Sequence, residues 1–171
     1  MKRSTMLAVT AATLVCLSAQ NAHAQSAKNV LGTWMLVSAI SEKDGNKSDT
    51  FGAGAKGSLS LDASGHYMIT IIGADLPKFA SGNRATGTAD ENKAVVGKSI
   101  AHFGTYAVNE ADKSITFKPE RATFANWDGT EMKRSFTVNA DELTYSVAAA
   151  SAGGTATVTW KRAGEYTSST R

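Results

Sequence analysis

Apolar and polar residues alternate with period two along most of the chain, which is the repeat of a half-buried strand. "TWMLVSAISEK", residues 33–43, sets Trp34, Leu36, Ser38 and Ile40 against Met35, Val37 and Ala39, and "KDGN" then supplies turn chemistry. "GSLSLDASGHYMITII" reads as a hairpin: Leu59 and Leu61 alternate with serines, "DASGH" turns, and Tyr67, Ile69 and Ile71 resume the pattern. "SIAHFGTYAV", "KSITFKPE", "EMKRSFTV", "ELTYSVA" and "GTATVTWKRA" follow, separated by Asn-, Asp- and Gly-containing turns. One segment breaks the alternation. "TADENKAVVG" predicts a helix, with Thr88 as N-cap, Asp90 and Glu91 in the first turn where the helix dipole favours acids, and Gly97 as its end.

The pattern therefore predicts an all-β domain of about eight short strands, with one short helix between the third and fourth. Two architectures suit it, a sandwich and a barrel. An eight-stranded antiparallel up-and-down barrel has no free edges, and its interior is just wide enough for side chains or one small ligand. In a barrel, one consistent choice of face sends Trp34, Leu36, Leu59, Leu61, Tyr67, Ile69 and Ile71 inward. From the later strands it adds Ile115, Phe117, Met132, Phe136, Val138, Leu143, Tyr145, Val147, Val158 and Trp160. His102, Gly104, Tyr106 and Val108 share the matching face of their strand. The same choice places Arg134, Arg162 and Ser38 inside. Ser38, Gly104 and Ala156 are small among large neighbours, which leaves room for a ligand.

The first 24 residues change the picture. Lys2 and Arg3, an apolar run from Met6 to Leu17, and the triplet Ala22-His23-Ala24 form a secretory signal peptide with cleavage expected after Ala24. Residues 25–171 are then the barrel domain, expected in the periplasm or secreted. The chain carries 18 Lys+Arg against 15 Asp+Glu, a net charge of +3. Because the leader holds two of those cations and no acid, the mature chain is close to neutral, and nothing points to nucleic acid. The lone Cys16 departs with the leader, so no disulfide is expected. Nor does any later apolar stretch reach the roughly 20 residues of a membrane span.

"LGTWMLVS", the "GSLSLDASGHY" hairpin, "HFGTYAVNE", "FANWDGT" and the closing "TVTWKRA" resemble, in order and over almost the whole mature chain, the lipocalin-like domain proteins of bacteria and fungi. Gly32-Thr33-Trp34 is also similar to the first-strand motif of true lipocalins. The resemblance implies a barrel with a central cavity and no particular chemistry, because fold alone does not give function. It further implies a barrel floor of Trp34, Trp160 and Arg162, with the late arginine lying across the first-strand tryptophan.

Arg134 poses the sharpest question, since a buried, unpaired guanidinium is too costly to persist. Three resolutions are open: an anionic ligand, helped by the Tyr106 and Tyr145 hydroxyls; an internal partner such as Glu131 or Glu120; or a place at the mouth, where the charge reaches water. His102 and Tyr106, four apart on one strand, share a face and form the candidate acid–base pair, against a plain cavity-lining histidine. Asn126 and Trp127, in the loop before the Arg134 strand, are a lid or a plug. Lys78 and Arg84 would attract an anion if their segment covered the mouth, and are otherwise a solvated face. His66 is expected to be exposed, and the histidines are too scattered for a metal site. "GAGAKG" matches a dinucleotide fingerprint in letters only, because a strand follows where a helix is needed.

The reading is an exported barrel that binds a small, mainly apolar molecule, with or without an acidic end, and needs no cofactor. Its candidate contacts are Arg134, Tyr106, Tyr145, His102, Trp127 and Asn126. The alternatives are an isomerase or cyclase working through His102 and Tyr106, and a packed barrel that binds another protein through its exterior.

Overall fold

The computed structural model describes residues 28–151 and 153–164. The proposed leader with Cys16 lies outside them, as does the tail after Gly164. Nine antiparallel strands form one sheet: β1 (Gly32–Lys43), β2 (Asn46–Asp49), β3 (Lys56–Leu61), β4 (His66–Ile72), β5 (Ser99–Asn109), β6 (Ser114–Ala122), β7 (Met132–Val138), β8 (Glu142–Val147) and β9 (Thr155–Arg162). From β3 onward each strand pairs with the next, and β9 returns to β1, from Trp34↔Arg162 to Glu42↔Thr155. Eight strands thus close a barrel, and β2 pairs with the far half of β1 beside β3. No helix among the described residues is long and apolar enough to cross a membrane.

The alternation put the right face inside. Every apolar residue assigned inward is buried in the core or packed against it, with Val30, Ala39 and Ala156 joining them. Two findings depart from the sequence reading. The polar "NKSD" forms β2, with all four residues exposed and no alternation to announce it. Asp44 and Gly45 turn into it with φ of 51° and 76°, the pair of positive angles that a two-residue hairpin turn requires and that glycine adopts without strain. Ser38, expected inside, faces out. A β-bulge between Leu36 and Ser38 inserts Val37, which shifts the alternation by one and turns Ala39 inward opposite Val158.

A second bulge inserts Glu120 into β6, opposite Phe103 and Gly104. A Cβ on Gly104 would meet the Lys118 carbonyl oxygen at 2.2 Å and the Glu120 nitrogen at 2.6 Å. The glycine therefore admits the bulged backbone; it does not leave ligand space, and the cavity argument keeps only Ala156 of its three small residues. The helix α1 (Ala89–Lys98) starts at Thr88, whose side chain accepts from the Glu91 amide while Glu91 accepts from the Thr88 amide. Gly97 does not end it. The helix runs one residue further and passes straight into β5 at Ser99.

One end of the barrel is sealed. Trp34 is fully buried, and its indole N–H donates to the Val30 carbonyl at 2.8 Å. The Arg162 guanidinium lies 4.0 Å over the Trp34 ring and donates to the carbonyls of Ala140 (2.6 Å), Leu31 (2.7 Å) and Asn29 (2.6 Å). One side chain thus joins the last strand, the segment before the first, and the β7–β8 turn. Arg162→Met leaves three carbonyls without donors and removes the cation over the indole. It should destabilise the fold by about 2–4 kcal/mol in chemical denaturation.

Candidate functional site

The other end of the barrel opens. A cavity of about 80 Å³ runs inward from a mouth formed by Phe51 after β2, Trp127 before β7, and Ala150 after β8. Its walls are mostly apolar, with Ile69, Ile71 and Val158 among them; Thr50 and Ser151 also line it, and the strands contribute His102 from β5, Arg134 from β7 and Tyr145 from β8.

Arg134 reaches this place because β7 alternates regularly, so the side chain between Met132 and Phe136 points inward with them. It is only 8% exposed, which removes the mouth as its outlet. The two glutamates considered as partners, Glu120 and Glu131, are exposed, and Arg134 enters no ion pair among the described residues. Its guanidinium donates only a weak bond to Met132 Sδ at 3.5 Å and lies 5.4 Å over the Tyr145 ring, while the buried Nε has no acceptor. Burial depresses its pKa. A sulfur and an aromatic face are poor substitutes for the water this cation gave up.

His102 is 5% exposed, and a hydrogen bond joins its Nδ1 to the Tyr67 hydroxyl across 2.8 Å. The Trp127 ring meets it edge-on, with centroids 5.4 Å apart. Burial, reinforced by the Arg134 charge, brings the imidazole pKa down to about 4. Burial also raises the pKa of the Tyr67 and Tyr145 phenols, against the pull of Arg134. Near neutral pH the cluster therefore holds one cation, a neutral imidazole and two neutral phenols, with no carboxylate among them.

Several expected contacts fall elsewhere. Tyr106 does not join His102. Its hydroxyl donates to the Asp62 carbonyl at 2.7 Å, at the β3–β4 turn away from the mouth. Residues four apart on a strand share a face but stand more than 13 Å apart along it, so the proposed acid–base pair does not form. The partner of His102 is Tyr67, its diagonal neighbour on β4, which pairs with Gly104 and which the residue pattern marked only as core. Asn126 is exposed and lies outside the cavity wall, although the next residue, Trp127, is part of it. Lys78 and Arg84 are exposed and also lie outside that wall. Trp160 is fully buried, with its ring centroid 6.3 Å from that of Tyr145. His66 is exposed, as expected, and bonded to Ser64 in its own turn.

The depressed His102 pKa fixes a pH dependence of stability. In the unfolded chain histidine titrates near 6.5, so between about 6.5 and 4 the unfolded state binds more protons than the folded one. Stability is then full above pH ~6.5 and falls as pH drops toward 4, by about 3 kcal/mol from this group. Urea denaturation between pH 7 and pH 4 should show that fall, and His102→Gln should remove most of it.

No curated protein matches the chain. A family model described as the lipocalin-like domain matches residues 31–163, from just before β1 to just after β9, and so takes in the floor, the closure and the mouth. The chain belongs to the lipocalin-like domain family.

Proposed function

We propose that this protein is an exported barrel that binds a small, mainly apolar acid, with the tail of the ligand in the cavity and its anionic head on Arg134. The observation that carries this reading is a buried guanidinium in an apolar cavity that has, among the described residues, no acidic partner and an orphaned Nε. A carboxylate is the group that fits it. It neutralises the charge, and its two oxygens match the planar fork of donors. The low dielectric of the wall that makes the bare cation costly strengthens the ion contact once it forms. The leader supports export, and the modest cavity volume favours a short chain or one small ring.

The same reading makes Arg134 a liability for folding. Arg134→Met keeps the length and apolar bulk of the side chain and removes the unpaired charge. It should raise stability by about 1–3 kcal/mol in chemical denaturation. It should also weaken the affinity for carboxylates by the 1.5–3 kcal/mol of a charge-assisted hydrogen bond. Native mass spectrometry of protein purified from its own host should show a small acid bound to the wild type and absent from the variant. Equal affinity of the two proteins for carboxylates would remove Arg134 from the site.

A further inference from the structure

Arg134 is not the only polar group that the ligand head would meet. His102 enters the same cavity, and its surroundings on every side can be named. From β4 comes Tyr67, hydrogen-bonded to Nδ1; from the turn before β7 comes the Trp127 ring; from β7 comes the Arg134 charge. Tyr145 stands beyond Arg134 on β8. Asp128, the acid next to Trp127 in the chain, is turned away, accepting from the Ala122 amide at 2.8 Å and from Arg121 at 3.1 Å. Nε2 of His102 makes no hydrogen bond among the described residues, while Nδ1 is held by a hydroxyl that both donates and accepts. Tyr67 can therefore serve either protonation state. It donates to a neutral Nδ1, or accepts from Nδ1–H once the ring is charged.

We propose that His102 is the second anchor of the anion site and that a bound anion favours its protonation, so that in mildly acidic solution the protein takes up its ligand together with up to one proton. This rests on the anion-binding reading of Arg134. Two physical effects keep His102 neutral when Arg134 has no counter-charge: the ring is buried, and the one charge it faces is positive. An anion seated on Arg134 reverses the second effect, because a negative group now lies next to the ring. An opposite charge at 4–6 Å raises such a pKa by about 1–3 units. Protonated Nε2–H then donates to the anion, and Tyr67 accepts from Nδ1–H. The proton comes from solvent and goes to Nε2 or Nδ1; no bond of the ligand is made or broken. The favoured ligand is a compact monoanion whose head bridges one guanidinium and one imidazolium.

Binding and protonation then favour each other by the same factor. Affinity is highest at low pH and falls as pH rises, beginning near the titration of His102 without an anion, about 4. It levels off above the pKa that the anion imposes.

The test uses hexanesulfonate, an amphiphile that stays anionic across this range, so that titration of the ligand contributes nothing. The His102 ring is followed by NMR between pH 3.5 and 8 with and without saturating hexanesulfonate. Its pKa should rise by about 2 units, and the Kd should tighten about tenfold between pH 7 and pH 5. His102→Gln should abolish that pH slope; if the variant fails to fold, the wild-type titration decides alone. Binding with an unmoved His102 pKa overturns the inference and leaves the proposed function standing. Absence of hexanesulfonate binding at every pH overturns both, as does an unchanged Kd in Arg134→Met.

Discussion

The pairing of β1 with β9 is the constraint on which the rest of the molecule depends. It converts a row of hairpins into a cylinder by joining the free sides of β1 and β9, and leaves the short β2 paired on one side. β1 runs the full height, with β9 along one side and β3 and β2 sharing the other. The bulge at Val37 lets so long a strand bend around the barrel and re-aims the residues beyond it. Arg162 fastens the seam at the floor, where it reaches three carbonyls from separate parts of the chain. A cation on the Trp34 face and donors to three acceptors make this arginine well satisfied although it sits against the core.

The contrast with Arg134 is instructive. Both arginines lie at alternate positions on strands whose other alternate residues are apolar, and the period-two pattern treats them alike. Arg162 has oxygen acceptors at three of its nitrogens, whereas Arg134 has a sulfur, an aromatic face and one orphaned N–H. The difference is one of neighbours. The segment before β1 and the β7–β8 turn meet at the floor and bring backbone carbonyls with them. The middle of a barrel wall offers only side chains, because its backbone is already paired across the sheet. A charge placed there depends on another side chain or on a ligand.

The same enclosure governs the electrostatics of the cavity. Low dielectric depresses the pKa of the imidazole, raises those of the two phenols and leaves Arg134 as the dominant charge. The open mouth and small volume mean that a ligand head entering this field replaces water with fixed donors and a fixed cation. Burial thus sets the cost of the bare site and the strength of the occupied one.

Much of this was legible in the residues. Alternation of period two identified the strands and the inward face, turn residues marked the hairpins, and Thr88 with Glu91 announced the helix. Arg134 stood out as a charge on an apolar face from the pattern alone. What the pattern could not carry was any relation across the barrel. The Val37 and Glu120 bulges have no local signature, so Ser38 was turned the wrong way and Gly104 was read as empty space. β2 was missed because its residues are polar on both faces. Tyr67 and His102 lie 35 residues apart in the chain and meet only through the register of β4 on β5, whereas Tyr106, the nearer in sequence, bonds elsewhere. The chain by itself determined which side of each strand is apolar, because that depends on neighbours two residues away. Register, bulges and the closing of the ring decided which polar groups meet inside, because those contacts depend on strands brought together only by folding.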